Sequence, residues 1–275
     1  IALDTRKRYK NHEELGAGEA ILIGFDGKEY RESILNLGVK RCVVERVYNG
    51  QAQSQFGGVS NEEHREALAR ALMKKYDHMK ERIDVISPVP RTPIPAAIEF
   101  SRLWGKPHGG IEAVGKGRTF QEMTAQARRE AATHKFTFNE RKIRGNRMGV
   151  IDDTIIRGTN SRVIIDKLYE LGAKEVHFFV TYPPFVGICP FGIDVPNEED
   201  LLFYGRNLDE ARDFIRATTL NYLTVDEMLD AIGLNRLNSC LGCTEKDYGG
   251  LDLGQYVAFQ KARSRPSQPA LPVLG

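Results

Sequence analysis

Apolar and polar positions alternate along the middle of the chain with two different periods. Apolar side chains recur at helical spacing over residues 61–80, and Ser60 with Glu63 supplies a capping box at the start of this helix. Short apolar runs of the kind that form buried strands come between this helix and later ones. We predict strands over 84–89, 148–151 and 175–180, and helices over 96–104, 160–171, 207–215 and 224–232. This alternation predicts an α/β fold with a mainly parallel sheet flanked by helices, whose ligands bind at the carboxyl ends of the strands.

The two ends of the chain follow other patterns. Residues 19–30 (EAILIGFDGKEY) predict two short strands joined by a turn at Asp26-Gly27, because an Asp-Gly pair between apolar runs is a strong hairpin signal. At the other end, RSRPSQPALPVLG is rich in proline, which is typical of a mobile tail. The chain begins with Ile1 instead of methionine, so we expect a processed product or a piece of something longer.

Composition limits the class of protein. Apolar residues make up 41% of the 275 residues and charged residues 28%, which is ordinary for a globular protein. No apolar run approaches the ~20 residues of a membrane-spanning helix, and the start, IALDTRKRYK, does not resemble a signal peptide. The net charge is +2 and the one basic stretch, at 141–147, is short. We therefore expect no membrane or nucleic-acid partner and a cytoplasmic, reducing location.

The segment VIDDTIIRGTNS, at 150–161, holds the strongest candidate chemistry. An apolar strand runs into Asp152-Asp153, and a turn of small residues then opens a helix. Backbone N–H groups and the helix dipole at such an opening hold a phosphate dianion, to which Thr159 and Ser161 add hydroxyl donors. The paired carboxylates are placed to accept hydrogen bonds from ribose hydroxyls. The segment therefore predicts a site for both ends of a phosphorylated ribose.

The complete string resembles the motif that binds 5-phosphoribosyl 1-pyrophosphate (PRPP) in type I phosphoribosyltransferases. Further segments extend the resemblance over roughly residues 1–250, with gaps: VPRTPIPAA at 89–97, GRTF at 117–120, FGID at 191–194 and SCLGC at 239–243. Together they are similar to glutamine phosphoribosylpyrophosphate amidotransferase. That family implies the type I phosphoribosyltransferase fold and the first reaction of purine synthesis, in which ammonia replaces pyrophosphate at ribose C1.

The resemblance also assigns residues to each part of PRPP. Asp152 and Asp153 would hold the ribose hydroxyls and a possible Mg²⁺ ion, which would neutralise charge on the leaving pyrophosphate. Arg91 and Thr92, in the loop at 90–93, would lie against that pyrophosphate. Gly158, Thr159, Asn160 and Ser161 would bind the 5-phosphate, and Arg157 would be a further PRPP-binding residue.

Two stretches depart from the family pattern. The pyrophosphate loop usually carries an acidic residue where this chain has Arg91, and a Lys-Asn-Arg-Tyr run is replaced by residues 112–116 (EAVGK). The catalytic candidates, Arg118 and Thr119, would lie at the root of a flexible loop that closes over the site and excludes water. Closure matters because water competes with ammonia as the nucleophile.

The resemblance divides the chain into three parts: a remnant of a glutaminase-like β layer at 1–40, the phosphoribosyltransferase domain at 41–250 and a tail at 251–275. The family's glutaminase nucleophile is an amino-terminal cysteine, whereas this chain has none before Cys42. Glutamine hydrolysis is therefore not expected of this polypeptide alone. Three explanations are open for the missing glutaminase part. It is a separate partner chain, the enzyme uses free ammonia or another amine, or the chain is a fragment. A homo-oligomer is expected.

Two functions of other classes stay open. One is a regulator that keeps the phosphoribose pocket as a PRPP or nucleotide sensor without turnover. The other is a subunit whose main task is assembly with a glutaminase. The atypical loops also leave open a phosphoribosyltransferase with a different acceptor.

The four cysteines are Cys42, Cys189, Cys240 and Cys243, the last two as a C-x-x-C pair. Four thiolates suit either a [4Fe–4S] cluster or tetrahedral zinc, and spacing does not choose between them. Cluster-bearing members of the family place cysteines at corresponding points. Here one precedes VVERVY, one precedes PFGID and two lie in SCLGC. The resemblance therefore implies a structural [4Fe–4S] cluster.

Overall fold

The computed structural model describes residues 15–16, 18–34, 40–114, 135–193, 195, 197–248, 253–254 and 256–258. In these ranges the strands, in chain order, are β1 Glu19–Ile23, β2 Glu29–Ser33, β3 Arg41–Cys42, β4 Gln55–Phe56, β5 Val59–Ser60, β6 Val85–Pro88, β7 Ile111–Ala113, β8 Phe136–Phe138, β9 Arg147–Asp152, β10 Glu175–Val180, β11 Thr219–Tyr222 and β12 Ser239–Cys240. The α-helices are α1 Asn61–Lys75, α2 Ile94–Trp104, α3 Glu140–Ile143, α4 Thr159–Glu170, α5 Leu208–Ile215, α6 Val225–Ala231 and α7 Gly242–Glu245.

A parallel sheet of β11, β10, β9 and β6, in that order, forms the centre of the fold. Helices connect the strands, so the predicted α/β architecture is confirmed. The sequence did not predict β11, which has only four residues and contains the polar Asn221. That side chain is buried, and its amide donates a 2.9 Å hydrogen bond to the backbone oxygen of Phe178 in β10. Pairing with β10 thus stabilises as a strand a segment whose own sequence only weakly favours one.

Each face of the sheet packs against its own helices, because neighbouring side chains in a strand point to opposite faces. On one face, Ile151 and Phe179 lie in an apolar cluster with residues of α1, α2 and α6. On the other, Val150 and Phe178 lie with residues of α4 and α5. The rings of Trp104 and Phe179 meet edge to face with centroids 5.9 Å apart. This two-sided burial fixes the sheet and leaves its carboxyl edge free for the loops.

Helix α1 has the predicted capping box but is shorter than predicted. It ends at Lys75, since Tyr76 leaves the helical conformation (φ −112°, ψ 26°) and a 3₁₀ turn, Asp77–Arg82, follows. The Tyr76 hydroxyl donates to the backbone oxygen of Tyr222 at 3.1 Å. The helix therefore ends where Tyr76 contacts β11. The spacing of apolar residues along the chain does not show such a long-range contact.

The predicted amino-terminal hairpin is present: β1 and β2 pair antiparallel around a turn that includes Asp26 and Gly27. Several of its large apolar side chains are more than half exposed, among them Leu22, Ile23 and Phe25. The proline-rich tail lies outside the described residues. No helix in the described ranges is long and apolar enough to cross a lipid bilayer.

Candidate functional site

The carboxyl ends of β6 and β9 open into a cavity of about 650 Å³. Three segments form most of its lining: the loop 89–93 after β6, the turn 152–158 at the end of β9, and the first turn of α4. The phosphate and ribose segment predicted from the sequence thus lies at the edge of the sheet where α/β folds bind small molecules.

Asp152 and Asp153 lie on the wall of this cavity and are largely buried, with 9% and 5% of their surface exposed. The Asp152 carboxylate accepts a hydrogen bond from the N–H of Asp153 at 2.9 Å, and the Asp153 carboxylate accepts the Thr154 hydroxyl at 2.9 Å. Burial raises the pKa of Asp153 to about 6, although Thr154, Arg65 and Thr92 act to lower it. Burial, and then the charge of Asp153, raise the pKa of Asp152 well above its ordinary value. Both carboxylates therefore gain from a ligand that donates hydrogen bonds or brings positive charge.

The amino-terminal end of α4 forms the opposite part of the cavity. Gly158 precedes the helix with φ 75° and ψ −7°, a left-handed conformation that favours glycine, and no side chain caps the helix. Thr159, Asn160 and Ser161 line the cavity. The first-turn N–H groups and the positive end of the helix dipole are therefore available to a phosphate. Arg157 adds a positive charge, 3.7 Å from the Asp200 carboxylate.

The loop 89–93 is tied to the acidic turn at two points. The Val89 N–H donates to the backbone oxygen of Ile151 at 2.8 Å, and the Thr92 side chain hydrogen-bonds Asp153. Arg91, between them, is exposed and lines the cavity. The structure brings together around one cavity all the residues predicted to bind PRPP: Arg91, Thr92, Asp152, Asp153, Arg157, Gly158, Thr159, Asn160 and Ser161. Their individual roles stay predictions.

Other cavity residues were not predicted. Tyr48 and Asn49 belong to a π-helical turn, Glu45–Asn49, whereas Lys135 precedes β8 and Phe136 begins it. These residues come from segments distant in sequence from the phosphate motif. No local pattern predicted these residues for the site, and VVERVY, cited above only for the cysteine before it, is helical from Glu45 to its end.

Arg65, on α1, holds the turn that carries Tyr48 in place. It is 5% exposed, and its guanidinium donates to the backbone oxygens of Val47 at 2.9 Å and Gly50 at 2.6 Å. Its charge also lowers the pKa of Asp153. A buried arginine on a helix therefore supports both the cavity wall and the acid pair.

Some predicted residues cannot be placed around the cavity. The catalytic candidates Arg118 and Thr119 lie outside the described residues, as do Lys116 and Asp194. Within the atypical stretch, Glu112 and Ala113 belong to β7, which pairs antiparallel with β8.

The four cysteines converge on one region, and none is in a disulfide. Cys42 and Cys240 face each other on the paired strands β3 and β12. The backbone oxygen of Cys243 accepts from the N–H of Val186 at 2.8 Å, which ties α7 to the segment leading to Cys189. Cys42, Cys189 and Cys240 all lie close enough for their charges to act on Cys243.

Three findings describe the chemistry of this cysteine region. Burial raises the pKa of the Cys243 thiol to about 12, against its hydrogen bond with Tyr182, and burial also raises that of Cys42. The Cys243 sulfur lies 3.2 Å from the Tyr182 hydroxyl oxygen. Among the described residues, no three His, Cys, Asp or Glu side chains are arranged around a single metal ion.

Comparisons with known proteins agree on one group. No family model matches the chain. The chain is 34% identical over 224 residues to an amidophosphoribosyltransferase of Methanothermobacter thermautotrophicus. The aligned region covers 80% of this chain and 47% of the relative. It is 30% identical over 241 residues to the Bacillus subtilis amidophosphoribosyltransferase (86% of this chain, 50% of the relative) and 31% identical over 237 residues to that of Escherichia coli (84% and 47%). The chain spans about half the length of these curated relatives.

Solved structures give the same picture for the fold. A structure described as the allosteric regulatory enzyme of purine biosynthesis superimposes with a TM-score of 0.74 and 30% identity, covering 86% of this chain and 52% of that one. Glutamine PRPP amidotransferase from B. subtilis, complexed with ADP and GMP, gives a TM-score of 0.70 and 30% identity, covering 84% of this chain and 52% of that one. The architecture described above is therefore that of the phosphoribosyltransferase part of these proteins.

Proposed function

This chain belongs to the amidophosphoribosyltransferase family, and we propose that the part of the family it spans transfers ammonia to C1 of PRPP with release of pyrophosphate, as in the first step of purine synthesis. The observation that carries the proposal is the cavity of about 650 Å³, which joins a buried acid pair to an uncapped helix start. Few ligands other than a phosphorylated sugar offer hydroxyl donors at one end and a dianion at the other.

The two ends of the cavity sort the two ends of PRPP by charge. The first turn of α4 takes the 5-phosphate, because its N–H groups and helix dipole favour an anion. Asp152 and Asp153 accept hydrogen bonds from the ribose 2- and 3-hydroxyls, which relieves the cost of burying their charge. The loop 89–93, held to Asp153 by Thr92, then lies on the pyrophosphate side. This arrangement fixes C1 between the loop and the ribose.

Chemistry at C1 needs positioning more than acid–base catalysis. Pyrophosphate leaves as an anion, and ammonia is a nucleophile without further activation. Orientation of C1 and a fixed electrostatic field therefore lower most of the barrier. Asp152 and Asp153 fit Mg²⁺, which is usually held by one or two carboxylates together with substrate phosphates. When bound, the ion neutralises charge on the leaving group. Arg118 and Thr119 are proposed to act at the loop that closes over C1.

The function is tested by incubating the whole chain with PRPP, Mg²⁺ and either ammonium or glutamine, and measuring pyrophosphate release. We expect release with ammonium, and none above background with glutamine from the 275 residues assayed, in which no cysteine precedes Cys42. Calorimetry on the same sample measures PRPP binding. PRPP binding without pyrophosphate release would indicate a PRPP sensor instead of an enzyme. The absence of PRPP binding would overturn the proposal entirely.

We further propose that Cys42, Cys189, Cys240 and Cys243 hold a [4Fe–4S] cluster of structural role. The support is their convergence from three distant segments, with the paired strands β3 and β12 carrying two of them. The four thiolates would hold such a cluster, which is larger than a single ion and would need its sulfur ligands farther apart. The lack of a single-ion arrangement in the described residues is compatible with that spacing. Such a cluster would join α7 to the amino-terminal strand β3.

The cluster is tested on protein purified without oxygen. We expect a brown sample with absorbance near ~400 nm and about four iron and four sulfide per chain. Cys240→Ser is expected to lose most of the iron, whereas Ser239→Ala, one residue away, should keep it. The melting temperature should fall only in Cys240→Ser. A colourless protein that carries one zinc ion would refute the cluster in favour of zinc.

The amino-terminal hairpin is proposed to pack against a glutaminase-like β layer, either as a missing domain or as a separate partner chain. Its exposed apolar residues, Leu22, Ile23 and Phe25, support this, since such side chains on a two-stranded ribbon gain stability by being covered. That the chain forms a homo-oligomer, and that it is divided at residues 40 and 250, stay predictions.

A further inference from the structure

Arg91 stands out among the charged residues of the cavity. It is exposed at the tip of the loop 89–93, and none of the ion pairs within the described ranges includes it. Its loop is nonetheless fixed, because Val89 is hydrogen-bonded to β9 and the neighbouring Thr92 to Asp153. A guanidinium that forms no ion pair with the described residues is thus held beside the acid pair.

The balance of charge in the cavity shows what this cation can do. PRPP brings a phosphate and a pyrophosphate into a space that already holds Asp152 and Asp153, so the ligand needs countercharge. Among the described lining residues the cations are Arg91, Lys135 and Arg157. Arg157 precedes the phosphate turn and is partly neutralised by Asp200, 3.7 Å away. Arg91 is the cation carried by the loop on the pyrophosphate side.

We propose, resting on the proposed function, that Arg91 pairs with the pyrophosphate group of PRPP and thereby lowers the dependence of PRPP binding on Mg²⁺. A guanidinium binds two phosphate oxygens at once and keeps its charge at any working pH. An acidic residue at this position would repel pyrophosphate unless a cation bridged them. Arginine has the opposite charge, so its side chain supplies part of the countercharge that the ion otherwise provides.

Calorimetric titration of the whole chain tests this, with PRPP as ligand in millimolar Mg²⁺ and again in excess chelator. The wild type is expected to keep measurable PRPP binding in chelator, with Kd raised less than about 10-fold. Arg91→Gln should weaken PRPP binding in chelator by about 10- to 100-fold, the usual weight of a charge-assisted pair, and by much less in Mg²⁺. Arg91→Lys should fall between. Arg141→Gln, an exposed arginine of α3 that does not line the cavity, should match the wild type.

Ribose 5-phosphate separates an effect on pyrophosphate from an effect on the loop, since it lacks the pyrophosphate group. Its affinity should be the same in the wild type and in Arg91→Gln. Equal weakening of both ligands, or PRPP binding by the wild type in Mg²⁺ only, would overturn the inference while PRPP recognition stands. If the wild type binds PRPP in neither buffer, the proposed function is wrong and the inference fails with it.

Discussion

Replacing Asp153 with asparagine is expected to lower PRPP binding and kcat/KM at least about 100-fold and to make the free protein more stable. The carboxylate lies on the wall of the cavity with 5% of its surface exposed, and burial raises its pKa to about 6. Its proposed hydrogen bonds with ribose hydroxyls would be charge-assisted and each worth about 1.5–3 kcal/mol, so kcat/KM should fall at least about 100-fold. The Thr154 hydroxyl can still donate to the asparagine oxygen, which limits structural damage.

The gain in stability has a defined pH dependence. Because the folded pKa of Asp153 lies above the ordinary value of 3.8, the folded state binds the proton more tightly, and ionisation destabilises the fold as pH rises from about 4 to about 6. The cost is fully present above pH 6 and amounts to roughly 1–3 kcal/mol. Asp153→Asn should therefore raise Tm by several degrees at pH 8 and hardly at all at pH 4.

Thermal melts at the two pH values, in metal-free buffer, and PRPP titrations at pH 8 check these expectations. Asp230→Asn is the matched control, since it removes an exposed carboxylate of α6 that does not line the cavity. Asp230→Asn should change neither Tm nor the affinity for PRPP. An Asp153→Asn protein that binds PRPP like the wild type, or melts lower at pH 8, would contradict the account of the acid pair.

Gly158→Ala is expected to damage the phosphate end of the site. The glycine adopts φ +75°, and an added Cβ would lie 3.0 Å from Leu202 Cδ1 and 3.1 Å from Ile215 Cγ2. The left-handed conformation costs a residue with a side chain about 1–2 kcal/mol, and the contacts force the start of α4 to shift. Since a phosphate site depends on the aim of several N–H groups, we expect PRPP affinity to fall at least about 10-fold.

Gly205→Ala separates strain from the site, because Gly205 has φ +65° and open space around it. Both variants should lose similar stability from the conformation itself, measured by denaturant unfolding. Only Gly158→Ala should lose affinity for PRPP and for inorganic phosphate in calorimetric titrations. Equal affinity in the two variants would show that the turn tolerates displacement and that the α4 start is not the phosphate site.

The sequence determined the parts of this protein that are local in the chain. The strand β9, the acid pair, the turn at Gly158 and the helix α4 follow one another within 150–161, so neighbouring residues alone specify their geometry. The alternation of apolar runs was sufficient for the α/β class, because a period of two or 3.6 positions reports which side of an element is buried. The two faces of β9 and β10 bear that out.

Only the tertiary structure decided what surrounds this motif. Thr92 meets Asp153, and Arg65 holds the turn with Tyr48, through contacts between segments far apart in sequence. The strand β11 exists because β10 offers it hydrogen-bond partners, and Cys42 meets Cys240 because β3 pairs with β12. The pattern of apolar residues in the sequence shows which side chains are buried. It does not show which distant residues they pack against. The acid pair was therefore readable from the sequence, whereas the cavity around it depended on the packing of the whole sheet edge.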